Sequence, residues 1–161
     1  MSNAIKFKKL NENALIPTRE TPGSVGLDLA TTGDYTEGKD VVYWKTGLAV
    51  QPPKGYYLEI HPRSSLHKKG WMLVNSTGII DSDYRGELII ALIPINIKLN
   101  LDNQNKASEY CDRCWKNNLI KPQTRIAQLI LRKNELIDVD IETVEELSNT
   151  ERGEGGFGST G

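Results

Sequence analysis

The sequence lacks a marked excess of charge of either sign. Its 20 basic and 21 acidic residues leave a formal net charge of -1 over 161 residues. Proteins that bind a nucleic acid polymer usually carry a clear basic excess on the binding face. The composition therefore argues against nucleic acid as a partner.

Long apolar runs are also lacking. No run approaches the roughly 20 residues that a membrane-spanning helix needs, and residues 1–6 contain no apolar signal region. From these absences we expect a protein without membrane association. The expected location is the cytoplasm, or the cytoplasm or nucleus of a host cell if the protein is viral.

Few side chains in the sequence can bind zinc. Cys111 and Cys114 form a C-x-x-C pair, and His61 and His67 are the only histidines. A structural zinc site needs about four ligands, and a redox pair requires a βαβ context that the sequence does not suggest. Ordinary thiols are therefore the favoured interpretation, with metal and redox roles as the alternatives.

Helical periodicity is almost absent, and short apolar or alternating runs are common. Such runs, separated by turns rich in Pro and Gly, occupy residues 5–8, 57–60, 77–80, 88–92, 95–101, 126–131 and 137–141. Patterns of this length predict strands, and residues 64–69 predict one short helical turn. Many short strands with frequent turns indicate a single all-β domain, a sandwich or a barrel.

The last ten residues, 152–161, contain five glycines, one Phe, one Arg and two hydroxyls. Ordering glycine is costly in entropy, so this segment cannot form a core. Arg, Phe, Ser and Thr are nevertheless suited to binding a phosphate and a planar ring. We interpret the segment as a mobile lid over a nucleotide, the alternative being a frayed terminus. A dinucleotide-binding loop is excluded because no strand and helix flank the glycines.

Four further segments accompany this terminus, at residues 22–29, 62–66, 75–86 and 125–128. In order and spacing, the five segments together resemble the five motifs of the homotrimeric dUTP diphosphatases (dUTPases). The resemblance implies a distorted jelly-roll β-barrel over residues 1–147, with an inserted surface loop at 100–118. Residues 148–161 would form a flexible arm that closes over an active site.

The same resemblance implies a function. The protein would be a homotrimer with active sites shared between subunits, and it would hydrolyse dUTP to dUMP and pyrophosphate. This reaction limits uracil in DNA and supplies dUMP for dTTP synthesis.

The segment from Arg63 to Ser65 is suited to phosphate. A guanidinium is a planar fork for phosphate oxygens, although a surface Arg beside a capping Ser would look the same. The resemblance assigns Arg63, Ser64 and Ser65 to the triphosphate, with Ser65 standing where Gly is usual. It also assigns Gln128 to a phosphate and a structural role to Arg125.

Residues 75–81 predict a β-hairpin. In the family this segment reads the uracil edge, and the residues carried over as base readers are Asn75, Gly78 and Ile80. Ile79 and Ile89 are also assigned to substrate binding. The resemblance further implies that Tyr84 stacks on the deoxyribose and excludes a 2′-hydroxyl.

The resemblance assigns the catalytic role to Asp81, which would activate the water that attacks the α-phosphorus. Spacing alone does not distinguish it from Asp83. Mg²⁺ is the implied cofactor, and Asp28 would act on it through water without direct ligation.

The resemblance also assigns roles in the terminal arm. Phe157 would stack on uracil, while Arg152 and Ser159 would bind the distal phosphates beside Gly158. One further departure lies before Arg125, where the usual Pro-Gly is replaced by Pro122-Gln123. We therefore expect a different turn there.

Two other functions stay open. The related dCTP deaminases share the Arg-Ser-Ser sequence, but they need a Glu where Ala91 stands. Alternatively, the protein is a regulatory binding module switched by dUTP. The loop at 100–118 would then contact a protein partner, unless it is only a solvated decoration.

Overall fold

The computed structural model of the protein describes residues 4–95, 116 and 119–152. Within these ranges the chain forms nine β-strands and no α-helix, and its short 3-10 helices include His67–Lys69 and Glu135–Asp138. No helix in the described ranges is long and apolar enough to cross a membrane. The all-β prediction is therefore confirmed.

The strands form two antiparallel sheets. Sheet one has the order β1-β4-β8-β6, with β3 also paired to β4, and sheet two has the order β2-β9-β5-β7. The strands of sheet one are β1 Lys6–Lys9, β3 Tyr35–Glu37, β4 Val42–Gln51, β6 Trp71–Leu73 and β8 Glu87–Pro94. Those of sheet two are β2 Leu27–Ala30, β5 Tyr56–Pro62, β7 Gly78–Ile80 and β9 Arg125–Lys133.

The core is formed by alternate residues of both sheets. Trp44 on β4 and Leu88 on β8 are fully buried, as is Leu58 on β5. The ring of Trp44 meets that of Trp71 edge-on, with centroids 5.7 Å apart. Because side chains alternate across a strand, the neighbouring residues of β5 and β9 face outward. These outward residues supply part of the candidate site.

Most of the predicted strands are present. The runs at 57–60, 88–92 and 126–131 lie within β5, β8 and β9, and the predicted helical turn appears as the 3-10 helix His67–Lys69. Of the run at 95–101, Ile95 follows the end of β8 and the rest lies outside the described residues.

The strand predicted at 137–141 is wrong. Glu135–Asp138 is a 3-10 helix, and residues 139–141 pair with no described strand. Alternation predicts a strand only where a sheet edge is available to pair with it. Here Val139 is 56% and Ile141 is 95% exposed, so these two side chains find no core in the described chain.

The predicted hairpin at 75–81 is also corrected. The strand β7 is an edge strand that pairs with β5, whereas β6 before it and β8 after it belong to sheet one. Residues 74–86 therefore cross from one sheet to the other and back. This crossing places the segment at the rim between the sheets.

The turn before β9 keeps a geometry that Pro-Gly would also adopt. Gln123 has a φ of 61°, and the Thr124 amide donates to the carbonyl of Lys121 at 3.3 Å. A turn with Pro in second place and positive φ in third is the type that favours Gly at the third position. Gln123 therefore occupies the glycine conformation, and the expected change of turn is not needed.

Candidate active site

A cavity of about 300 Å³ opens at one end of sheet two. It is lined by Glu20, Ser24, Val25, Gly26, Asp28, Arg63, Ser64 and Gln128. Cross-strand register explains the grouping, because Asp28 on β2 pairs with Gln128 on β9, which pairs with His61 on β5. Arg63 follows directly after β5. Four residues predicted from distant motifs, Asp28, Arg63, Ser64 and Gln128, thus meet here.

Asp28 is the electrostatic centre of this cavity. Its side chain is 9% exposed; Arg63 Nε donates to Oδ1 at 2.8 Å, and Arg125 Nη1 donates to Oδ2 at 2.9 Å. Hydrogen bonds between charged groups such as these are shorter and stronger than those between neutral groups. Asp28 therefore holds both guanidinium groups at the cavity wall, as the structural role expected for Arg125 requires.

Arg125 contacts a second carboxylate. Its Nη1 atom also donates to Oε2 of Glu20. Two hydrogen bonds raise the pKa of Arg125 above its ordinary value. The bond to Asp28 is the larger cause and the bond to Glu20 the smaller one. Sequence reasoning missed Glu20, because it is an exposed residue 105 positions from Arg125 and no motif links the two.

The Gln128 amide is held between two neighbouring segments. Its Nε2 donates to the Pro62 carbonyl at 3.2 Å. A Cβ on Gly26 would lie 2.6 Å from Oε1 of Gln128. Only a residue without a side chain at position 26 therefore leaves the amide in this place.

The turn after Arg63 is anchored in the core. The Leu66 amide donates to the Arg63 carbonyl at 2.9 Å, and the Leu66 side chain is 2% exposed. Ser64 is exposed and Ser65 is half-buried. The anchoring fixes the backbone that carries both hydroxyls. Ser64 lines the cavity with Arg63, whereas Ser65 is not among the lining residues.

The base-binding segment begins with a tight turn. Ser76 has a φ of 54°, and the Thr77 amide donates to the Asn75 carbonyl. Gly78 is buried, and a Cβ there would lie 3.1 Å from Nδ2 of Asn75. The Asn75 amide thus lies over a glycine backbone, beside the exposed Ile79 and the half-buried Ile80.

Asp81 and Tyr84 follow at the rim. Asp81 is exposed, and its carbonyl accepts from the Tyr84 amide at 3.2 Å. The Tyr84 hydroxyl donates to the Glu87 carbonyl at 3.0 Å, which lays the ring across Gly86. Ile89, 42% exposed, lies on the outer face of sheet one opposite Lys45.

Asp81 and Arg63 do not meet within one chain. Asp81 follows Ile80, which pairs with Leu58, five positions before Arg63. At about 3.3 Å per residue, Asp81 and Arg63 are separated by more than about 15 Å along the strand. The described chain therefore carries a phosphate half-site around Asp28 and Arg63 and a base half-site on residues 75–81. The two approach each other at Ser76, which lines a second cavity with Arg63 and Ser64, and they are far apart at Asp81.

The predicted arm is only partly described. Arg152 is exposed near the end of the described residues, whereas Phe157, Gly158 and Ser159 lie outside them. Cys111, Cys114 and most of the predicted loop at 100–118 also lie outside the described residues.

Comparisons with known proteins agree over nearly the whole chain. A family model described as dUTPase matches residues 12–103 and 116–161. The deoxyuridine 5'-triphosphate nucleotidohydrolase of Nautilia profundicola is 41% identical, over 98% of each chain. That of Hydrogenobaculum sp. is 40% identical, over 96% of this chain and 95% of its own.

A solved structure is also similar. The Staphylococcus bacteriophage 80alpha dUTPase with dUpNHpp is 28% identical, with a TM-score of 0.75 over 99% of each chain. This likeness confirms the predicted jelly-roll fold. Residues 104–115, within the predicted loop, are the internal stretch that the family model does not match.

Proposed function

The chain belongs to the dUTPase family and is a dUTP diphosphatase, and we propose how its residues carry out the hydrolysis of dUTP to dUMP. In this proposal Asp81 activates a water that attacks the α-phosphorus in line with the departing pyrophosphate. The observation that carries it is the pair of half-sites, one built for phosphate and one for a base.

The phosphate half-site is suited to the triphosphate. Asp28 contacts Arg63 through Nε, and within the described chain the two terminal amino groups of Arg63 have no protein partner. They offer a planar fork for phosphate oxygens. We assign the hydroxyls of Ser64 and Ser65 and the amide of Gln128 to the same chain of phosphates.

The base half-site is suited to uracil. Asn75, Gly78 and Ile80 present an amide and main-chain groups whose donor pattern is fixed by pairing with β5. A base with another pattern would leave buried polar groups unpaired, which is costly. Ile79 and Ile89 would flank the base, and the Tyr84 ring would pack on the deoxyribose.

Asp81 is suited to the role of general base. Its exposed carboxylate has no hydrogen-bond partner among the described residues, so both oxygens are free to accept from a water. Reach to that water is the first requirement for a general base. Asp83 is exposed as well, and the family resemblance is what favours Asp81.

The cavity residues fit a magnesium ion that arrives with the substrate. Within the described ranges no group of three His, Cys, Asp or Glu side chains could enclose a metal, and Mg²⁺ commonly keeps its waters and takes few protein ligands. Asp28 would accept a hydrogen bond from a metal-bound water. When bound, the ion would neutralise charge on the phosphate oxygens.

A homotrimer with shared sites accounts for the separation of Asp81 from Arg63. The phosphate half-site of one subunit would face the base half-site of another. Between residues 139 and 147 four apolar side chains, those of Val139, Ile141, Val144 and Leu147, are more than half exposed. Such a segment fits docking on a neighbour, from which residues 148–161 would deliver Arg152, Phe157, Gly158 and Ser159.

The test of the mechanism is Asp81→Asn, with Asp83→Asn as its matched control. We expect Asp81→Asn to reduce pyrophosphate release from dUTP by at least about 1,000-fold while dUTP still binds, because a general base is lost. Asp83→Asn should retain turnover. Near-normal turnover in Asp81→Asn, measured by pyrophosphate release and dUTP titration, would contradict the assignment.

The rival deaminase is tested with the same wild-type protein. Ala91 lies on β8 opposite Tyr43 and has no carboxylate with which to move protons. Incubation with dUTP, dCTP, dTTP and UTP should release pyrophosphate from dUTP alone. Ammonia from dCTP would instead favour the deaminase.

A second function is favoured by the unmatched residues 104–115. The 80alpha enzyme is described among phage dUTPases that control transfer of virulence genes by a proto-oncogenic G protein-like mechanism. We infer that the loop at 100–118 binds a protein partner, with dUTP as the switch. Deleting residues 103–117 should leave dUTP turnover within about twofold, because surface loops tolerate such changes. Lost turnover would show that the loop serves the active site instead.

A further inference from the structure

Glu20 is the one acidic residue at the phosphate cavity that the family motifs do not include. It precedes the turn formed by Thr21 and Ser24, whose hydroxyls lie 2.9 Å apart. The Asp28 amide donates to the Thr18 carbonyl at 2.9 Å, which ties the segment before Glu20 alongside β2. The backbone therefore holds Glu20 near Arg125 whatever its own side chain does.

The contact between Glu20 and Arg125 has a specific geometry. Glu20 Oε2 and Asp28 Oδ2 both accept from the same nitrogen, Nη1 of Arg125. That nitrogen carries two hydrogens in the plane of the guanidinium, so each carboxylate takes one. Two bonds in fixed directions orient the whole plane, whereas a single bond to Asp28 would leave it free to rotate.

The orientation passes on to the substrate-binding residue. Glu20, Arg125, Asp28 and Arg63 form a row of alternating charges, because Asp28 uses its other oxygen for Arg63 Nε. If the Arg125 guanidinium rotated away from Asp28, the Asp28 carboxylate could rotate as well. The Arg63 guanidinium, which it holds through Nε, could then change its orientation. The terminal amino groups of Arg63 would then lose their fixed direction toward the cavity.

We propose that Glu20 is a positioning residue for dUTP binding, acting through Arg125 and Asp28 to hold Arg63 toward the triphosphate. The inference rests on the phosphate site proposed above. It predicts an effect opposite to simple electrostatics. Removing an anion beside a triphosphate site should strengthen binding, whereas removing a positioning anion should weaken it.

The experiment measures kcat and KM for dUTP in Glu20→Ala and Glu20→Gln. Exposed ion pairs contribute little individually, so we expect Glu20→Ala to raise KM by about two- to fivefold with kcat nearly unchanged. Glu20→Gln keeps an oxygen that accepts from Nη1 and should restore most of the wild-type KM. The matched control is Glu12→Ala, an exposed glutamate in the same N-terminal region, which should leave KM unchanged.

A double-mutant comparison of Glu20 with Arg125 distinguishes a positioning role of Glu20 from a general effect of its charge on dUTP binding. In an Arg125→Ala background, Glu20→Ala should change KM no further, because its only route to Arg63 is gone. An unchanged or lowered KM in Glu20→Ala, or an equal rise in both backgrounds, would overturn the proposal.

Arg63→Ala tests the phosphate site itself. If Arg63→Ala hydrolyses dUTP normally, the proposed phosphate site is wrong. If Arg63→Ala fails to bind dUTP while Glu20→Ala has a wild-type KM, the phosphate site stands and only the role of Glu20 is refuted.

Discussion

At the scale of single residues, the lack of a side chain at Gly26 decides where the Gln128 amide lies. The backbone of Gly26 passes so close that an added Cβ would stand 3.1 Å from Gln128 Cβ as well as 2.6 Å from Oε1. The amide end is flexible and can move away, and the base of the side chain needs to shift by only a few tenths of an ångström. A methyl group at position 26 therefore redirects the amide without blocking the fold.

We expect Gly26→Ala to raise KM for dUTP about tenfold, since a hydrogen bond to a charged group contributes about 1.5–3 kcal/mol when fully formed. Its free energy of unfolding should change by less than about 1 kcal/mol. Steady-state kinetics and chemical denaturation check the two halves of this expectation. Gly23→Ala, in the same turn but with open space around it, is the control and should match the wild type. A Gly26→Ala enzyme with unchanged KM would remove Gln128 from the phosphate site.

The turn at Gln123 shows what residue identity does not reveal. The family resemblance marks the loss of a usual glycine before Arg125, and the simplest expectation is a changed turn. The backbone instead keeps a φ of 61° at Gln123, and the Gln123 amide donates to the Thr31 carbonyl at 2.8 Å. Contacts with the neighbouring segment impose a conformation that glutamine alone would not favour.

At the scale of elements, the outer face of sheet two carries a polar cluster that follows from strand register. Glu59 accepts hydrogen bonds from the Tyr57 hydroxyl at 2.9 Å, His61 Nε2 at 2.8 Å and Arg132 Nε at 3.0 Å. Its side chain is 12% exposed. These bonds, of which that from His61 is the largest cause, lower the pKa of Glu59 to about 2 from an ordinary value of 4.5.

The lowered pKa gives a pH dependence with a definite sign. The folded state keeps Glu59 ionised until about pH 2, whereas the unfolded chain takes up the proton near pH 4.5. The stabilisation is therefore complete above about pH 4.5 and is lost as the pH falls toward 2. We expect Glu59→Gln to lower the free energy of unfolding by about 1–2 kcal/mol at pH 7.

Denaturation at several pH values tests this prediction. The difference between Glu59→Gln and wild type should shrink steadily from pH 4.5 downward. Glu12→Gln, an exposed control, should show no such trend. A constant difference at every pH would mean that the charge of Glu59 does not contribute.

The elements also show where sequence patterns are sufficient. The pattern of short alternating or apolar runs predicts β5, β8 and β9, and each of these strands pairs on both sides and buries one face. It fails at residues 137–141, where the same alternation has no strand to pair with. It also predicts a hairpin at 75–81, although β7 pairs with β5 and β8 joins the other sheet. Local pattern specifies which face of a strand is apolar, and the rest of the fold chooses the partner.

At the scale of the whole molecule, the proposed division of the site between subunits would make the arm essential. We expect truncation after Thr150 to leave a folded trimer that binds dUTP but hydrolyses it at least about 100-fold more slowly. The physical reason is that Arg152, Phe157 and Ser159, which would close the site and exclude water, are removed.

Sedimentation, dUTP titration and pyrophosphate release measure the three parts of this prediction. Full-length Phe157→Ala is the companion variant, and it should lie between wild type and truncate because it removes only the ring that stacks on uracil. Full activity in the truncate would rule out a catalytic role for the arm.

By itself, the sequence determined the family and the all-β class, and it predicted nearly every residue of the proposed site. These are carried by short motifs and by alternation, which depend on residues close together in the chain. Only the tertiary structure decided that Arg125 joins Asp28 to Glu20, that β7 lies at a sheet edge, and that Asp81 stands apart from Arg63. Each of these depends on strand register between segments distant in sequence, and register is settled by the packing of the whole core.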